Sequence, residues 1–192
     1  LQYTHQLAPG KHLINTEACI DAQIPVWKDD SWYWSKEAKD WGWTWAPADQ
    51  KYLHPKYVPV FRYAGDIIGC LNNFVDGWID WNMVLDKQGG PNWFKNWCIA
   101  PVIVDPENNE VYFTPLYYTM AHFSKFMRPG AVKIGCTINH KDLMATAVKN
   151  PDGTIALVIF NPTEQLKNVS IQLNNLSKNI SISSKALQTV II

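Results

Sequence analysis

The chain has 192 residues, with 17 basic and 17 acidic side chains and a formal net charge of zero. That length can bury a sizeable core in one or two domains, while the balanced charge supplies neither a basic stripe for nucleic acid nor an anionic tail for cations. No apolar run is long enough to span a bilayer, and Cys19, Cys70, Cys98 and Cys136 lie far apart with no Cys-x-x-Cys pair, so buried free thiols are expected and no metal or other cofactor is.

The opening LQYTHQLAPGKH lacks Met and the charged-then-apolar layout of a secretory leader, which reads as the start of a processed or truncated polypeptide. After the turn signal Pro9-Gly10, residues 12–16 predict a short strand that delivers Glu17, Ala18 and Cys19 at its C-terminal end. A long loop follows in which Trp27, Trp32, Trp34, Trp41, Trp43 and Trp45 crowd together. From 57 to 75, Val58, Phe61, Ala64, Ile67, Ile68, Leu71 and Phe74 recur at helical spacing, with Pro59 tolerated in the first turn.

Residues 77–85 predict a second strand, apolar on both faces as a parallel strand under helices would be. Residues 114–127 predict a second amphipathic helix, with Thr114 as N-cap and Pro115 at the first helical position. After Pro129-Gly130 the apolar period becomes two, and strands are expected over 132–136, 143–149, 154–160, 169–173, 180–184 and 187–192, with Asn150-Pro151-Asp152-Gly153 as a hairpin turn. The expected organisation is an α/β domain over residues 1–129 and an antiparallel β-sandwich over 130–192.

Four motifs stand in order: Asn15-Thr16-Glu17-Ala18-Cys19, Gly77-Trp78-Ile79-Asp80-Trp81-Asn82, Gly89-Gly90-Pro91-Asn92-Trp93 and His122-Phe123-Ser124-Lys125-Phe126. Together they resemble the glucosylceramidases of glycoside hydrolase family 30. The resemblance implies the last two βα units of a (β/α)8 TIM barrel followed by a β-sandwich, with the site at the C-terminal ends of the barrel strands. It implies a retaining β-glucosidase that acts on glucosylceramide or a related β-glucoside through a covalent intermediate, with Glu17 as nucleophile.

The family's acid/base lies in an Asn-Glu-Pro segment. None occurs here, Asn109-Glu110-Val111 being the nearest approach, so the chain alone is expected to be inactive and to need the N-terminal remainder of the enzyme. For substrate binding, Asp80 reads either as a sugar-hydroxyl ligand or as an interior charge paired with an Arg or His, and Trp81 as a ring face for the sugar or as a packing anchor. Asn96 resembles a pocket residue that hydrogen-bonds a sugar hydroxyl.

The tryptophan-rich loop is open to two readings, a lid or aglycone platform in contact with lipid, or a miniature core. The five histidines are scattered, and His122 is expected to pack against the barrel. Asn168-Val-Ser, Asn175-Leu-Ser and Asn179-Ile-Ser are glycosylation sequons that carry meaning in a eukaryote. Localisation is secreted, or lysosomal in a eukaryote, on the resemblance alone. The competing readings are a non-catalytic module that binds carbohydrate or a lipid surface, which predicts sugar affinity insensitive to Glu17, and a purely structural domain, which predicts none.

Overall fold

A computed structural model describes residues 1–18, 20–21, 58–86, 89–91 and 98–192; the tryptophan cluster and Asn96 fall outside the described residues. The chain divides into two units, Leu1–Met120 and Ala121–Ile192.

In the first unit, α1 (Gln2–Leu7) precedes β1 (Leu13–Ala18) and β2 (Ile20–Asp21). Next among the described residues is α2 (Val58–Asn72), whose Tyr63, Ala64, Ile67 and Ile68 are buried while Arg62 and Asp66 are exposed. Gly65 and Gly69 inside the helix cost about 1 kcal/mol each. Burying Ile67 and Ile68 contributes about 1.5–3 kcal/mol apiece, so packing decides in favour of helix. The helix stops at Asn72, short of the expected end at 75. Asn73 donates its side-chain amide to the Gly69 carbonyl at 2.7 Å and its N–H to the Cys70 carbonyl at 2.9 Å, and Phe74 then turns the chain at φ 67°.

Val75–Asp80 forms β3, which lies parallel to β1 with Leu13 opposite Val75, Ile14 opposite Gly77 and Ala18 opposite Asp80. β1, α2 and β3 therefore make the parallel strand–helix–strand arrangement that the pattern predicts. The single strand expected over 77–85 is in fact two. β3 ends at Asp80, and β4 (Val84–Asp86) belongs to another sheet. At the break Asp80 Oδ1 accepts the N–H of Trp81, which it shares with the Ala18 carbonyl of β1.

β5 (Cys98–Ile99) pairs antiparallel with β2. β6 (Val102–Asp105) runs parallel to β4 and antiparallel to β7 (Glu110–Phe113), a hairpin that the sequence pattern did not predict. Asp105 shapes its turn by accepting the Asn108 N–H at 3.3 Å and the Asn108 side-chain amide at 2.7 Å. α3 (Pro115–Ser124) starts where expected and ends three residues early. Thr114 is not its side-chain cap, because the buried hydroxyl donates to the Ala100 carbonyl at 2.9 Å; Pro115 starts the helix regardless, having no N–H to leave unpaired. No described helix is long and apolar enough to cross a membrane.

In the second unit, β8 (Val132–Ile134), β9 (Met144–Lys149), β10 (Ile155–Asn161) and β13 (Ala186–Ile191) form an antiparallel sheet in the order β13-β10-β9-β8, and β11 (Lys167–Leu173) pairs with β12 (Leu176–Ile182) as a separate hairpin. Ala145, Ala147, Leu157, Ile159 and Val190 of the sheet pack with Ile182 of the hairpin, while Asn168, Asn175 and Asn179 are exposed. The turn at 150–153 is the predicted one, with Gly153 at φ 88°. Asn150, 5% exposed, donates to the Phe126 carbonyl at 2.9 Å and accepts the Arg128 N–H at 3.0 Å, so the turn also holds the segment that leads into the sheet. Asn161 is fully buried and donates to the Gln165 and Ser183 carbonyls at 2.8 Å each.

Candidate active site at the ends of two parallel strands

Parallel strands bring their C-terminal ends to one side, and here those ends are Glu17-Ala18 on β1 and Asp80-Trp81 on β3. The Trp81 N–H donates to the Ala18 carbonyl at 2.7 Å, which joins the two ends. Glu17 is exposed and lies within β1, one residue before its end, whereas the sequence placed it just beyond the strand. The register slips between Asn15 and Ala18, so Thr16 and Glu17 have no Cα partners in the ladder. Trp81, which follows β3, is 50% exposed in this chain.

Asp80 points at α2. The Tyr63 hydroxyl donates to Asp80 Oδ1 at 2.5 Å, and the Trp81 N–H reaches the same oxygen at 2.9 Å. Oδ2 is buried and has no partner among the described residues. Burial pushes the carboxyl up to about 6 from an ordinary 3.8, against the downward pull of Tyr63 and the Trp81 N–H. Among the described residues the side-chain partner of Asp80 is thus a phenol, and not the Arg or His of the interior reading.

A second grip lies one helical turn further along α2. Asp66 Oδ2 accepts the indole N–H of Trp78 at 2.6 Å and the side-chain amide of Asn15 at 3.2 Å, while Asn15 Oδ1 accepts the Glu17 N–H at 3.4 Å. Trp78 stands edge-on to Tyr63, with centroids 4.9 Å apart. Neither Tyr63 nor Asp66 was singled out in the sequence. The available signal was a phenol beside an apolar stripe and a carboxylate three residues on.

The other candidates lie elsewhere or outside the described residues. Asn96 and the tryptophan cluster are among those not described. Glu110, the nearest approach to the family acid/base motif, begins β7 in the β4–β6–β7 sheet and accepts the Tyr112 hydroxyl, so it does not belong to the β1–β3 ends. His122 Nδ1 lies 2.8 Å from the hydroxyl of Thr189 on β13, within the second unit. The thiols of Cys70 and Cys136 are pushed up by burial, and no group of three potential metal ligands occurs among the described residues.

Comparison with known sequences bears on the whole chain. The sequence model of the glycosyl hydrolase family 30 TIM-barrel domain matches residues 46–127, and that of the family 30 beta sandwich domain matches residues 130–190. A putative glucosylceramidase 4 of Caenorhabditis elegans is 34% identical over the full chain, and the lysosomal acid glucosylceramidase of Mus musculus is 30% identical over 84% of it. The chain spans 33% and 27% of their respective lengths. Among solved structures, that of SrfJ from Salmonella typhimurium superposes with a TM-score of 0.77 at 25% identity, covering all of this chain and 37% of that one.

Proposed function

The chain belongs to glycosyl hydrolase family 30, as part of its TIM barrel with its β-sandwich, and we propose that it forms part of a retaining β-glucosidase with Glu17 as nucleophile. The observation that carries this reading is the position of Glu17: an exposed carboxylate at the C-terminal end of a parallel strand, tied through Ala18 to the end of its neighbour. In such an enzyme Glu17 attacks the anomeric carbon, a second carboxylic acid protonates the leaving oxygen, and the same group then activates water against the glycosyl ester.

That second group is proposed to come from the N-terminal remainder, since Glu110 lies in another sheet. The 192-residue chain by itself is therefore expected to turn over no substrate. Trp81 offers its exposed ring face to the sugar and Asn96 a hydrogen bond. A sugar hydroxyl on Asp80 would require its buried Oδ2 to become accessible, so Asp80 is assigned a supporting place. The names of the relatives make glucosylceramide, or a related β-glucoside, the proposed substrate. The division of labour is residues 1–129 to the barrel and 130–192 to the sandwich.

The experiment is covalent labelling of the complete enzyme with a mechanism-based β-glucoside inhibitor, followed by peptide mass spectrometry. Label on the peptide that carries Glu17, lost in Glu17→Gln, is the expected result. Unchanged labelling in Glu17→Gln sinks the assignment, and sugar affinity with no labelling at all favours a non-catalytic binding module.

A further inference from the structure

Glu17 occupies a stretch of β1 that its own ladder does not hold. The paired positions on either side are Asn15 and Ala18, with a register shift between them. What brackets Glu17 is side-chain chemistry anchored in α2. Below it, Asp66 takes the Asn15 amide, and Asn15 takes the Glu17 N–H. Above it runs a series of contacts from the Tyr63 hydroxyl to Asp80 Oδ1, from that oxygen to the Trp81 N–H, and from the N–H to the Ala18 carbonyl. Tyr63 is 2% exposed, so the first donor in the series is fixed by packing.

Resting on the reading of Glu17 as nucleophile, we propose that Tyr63 and Asp80 are a positioning pair that locks the joined ends of β3 and β1, holding Glu17 and Trp81 in place without touching the sugar. Three observations support it. Oδ1 of Asp80 is taken up by the Tyr63 hydroxyl and the Trp81 N–H, and Oδ2 is buried with no partner among the described residues. A half-buried carboxylate with one oxygen shut away and unpaired among the described residues costs stability that an apolar side chain would not, so its presence calls for an explanation other than packing. Among the described residues the influences on Asp80 are burial, Tyr63 and the Trp81 N–H, so removing the Tyr63 hydroxyl acts directly on this linkage. Placement matters because a misplacement of about 1 Å in a reacting group costs on the order of a hundredfold in rate.

The test uses the complete enzyme carrying Tyr63→Phe, Asp80→Asn or both, assayed with an aryl β-glucoside, with its monodeoxy analogues and with the covalent inhibitor. Tyr63→Phe should lower kcat/KM and the labelling rate about tenfold, the worth of one hydrogen bond to a charged acceptor, and Asp80→Asn, which keeps an oxygen acceptor but loses the charge, should lower both by less. The double variant should be no worse than the poorer single one, and the loss should be equal across the deoxy series. Losses that multiply overturn the proposal, as does an analogue spared by Asp80→Asn, which would reveal direct contact with the missing hydroxyl. If the unaltered enzyme neither cleaves nor labels, the nucleophile reading fails on its own. Hydrogen exchange at the Trp81 amide then decides the pairing: faster exchange in Tyr63→Phe supports it, and unchanged exchange rejects it.

Discussion

Asp80→Asn removes a charge while keeping the outline of the side chain, and it should stabilise the first unit near neutral pH while impairing the enzyme. The carboxyl titrates at about 6 in the fold and near 3.8 when unfolded, so the folded chain holds its proton more tightly. A raised folded value contributes stability that is fully present below 3.8 and is lost as pH rises through about 6. A gap of about two pH units corresponds to about 3 kcal/mol, but Asp80 is only partly buried, and solvent screening reduces this to about 1–2 kcal/mol. Above pH 6 the Asn variant escapes that cost; below 3.8 the neutral acid and the amide are equivalent and the two proteins should match.

Hydrogen exchange of the α2 and β3 amides is the suitable assay, because it reads this unit without mixing in the unfolding of the sandwich. The variant should show about five- to thirtyfold slower exchange above pH 6, and no difference below 3.8. A gain that does not vary with pH, or a loss above pH 6, refutes the argument that the charge sits at a cost.

Asn161→Ala should lower the stability of the sandwich unit by about 1–3 kcal/mol in urea unfolding, since it empties a buried site and strands the Gln165 and Ser183 carbonyls together with the Thr163 hydroxyl and N–H that Asn161 Oδ1 accepts. A change under about 0.5 kcal/mol would mean that water replaces those partners. Burial holds the His122 imidazole below its ordinary 6.5, so its contribution to stability is present above that pH and is lost as pH falls through the lower folded value. His122→Gln should flatten the acid side of the sandwich unit's stability profile, and an unaltered acid slope in urea titrations would show that other groups govern it.

How far the sequence could be read depended on whether a feature was local. Helical spacing in α2 and the short turn-bounded runs of β9, β10 and β13 are written in the residues themselves, and so is the 150–153 turn, where glycine satisfies the positive φ. The motif around Glu17 was equally plain. The break after Asp80 was not, because it depends on a carboxylate and on the Ala18 carbonyl, which is far away in sequence. Thr114 looked like a cap by position and was drawn off by Ala100 across space. Asp80 was recognised as a residue of interest, but its partner could not be named, since a phenol within an apolar stripe looks the same whether its hydroxyl meets water or an acid.

The Asn150 turn also bears on the order of assembly. β9 and β10 are joined by a tight turn and pair residue for residue from Ile155–Lys149 to Phe160–Met144, so their contacts close the shortest loop in the main sheet. Such a hairpin forms in about 1–10 μs, ahead of the longer closure that brings in β13. Only with the turn in place does the Asn150 side chain present its oxygen to Arg128 and its amide to Phe126. The segment between α3 and the sheet is thus captured by a structure already built, a late step whose loss would leave the hairpin formed and the entry to it loose.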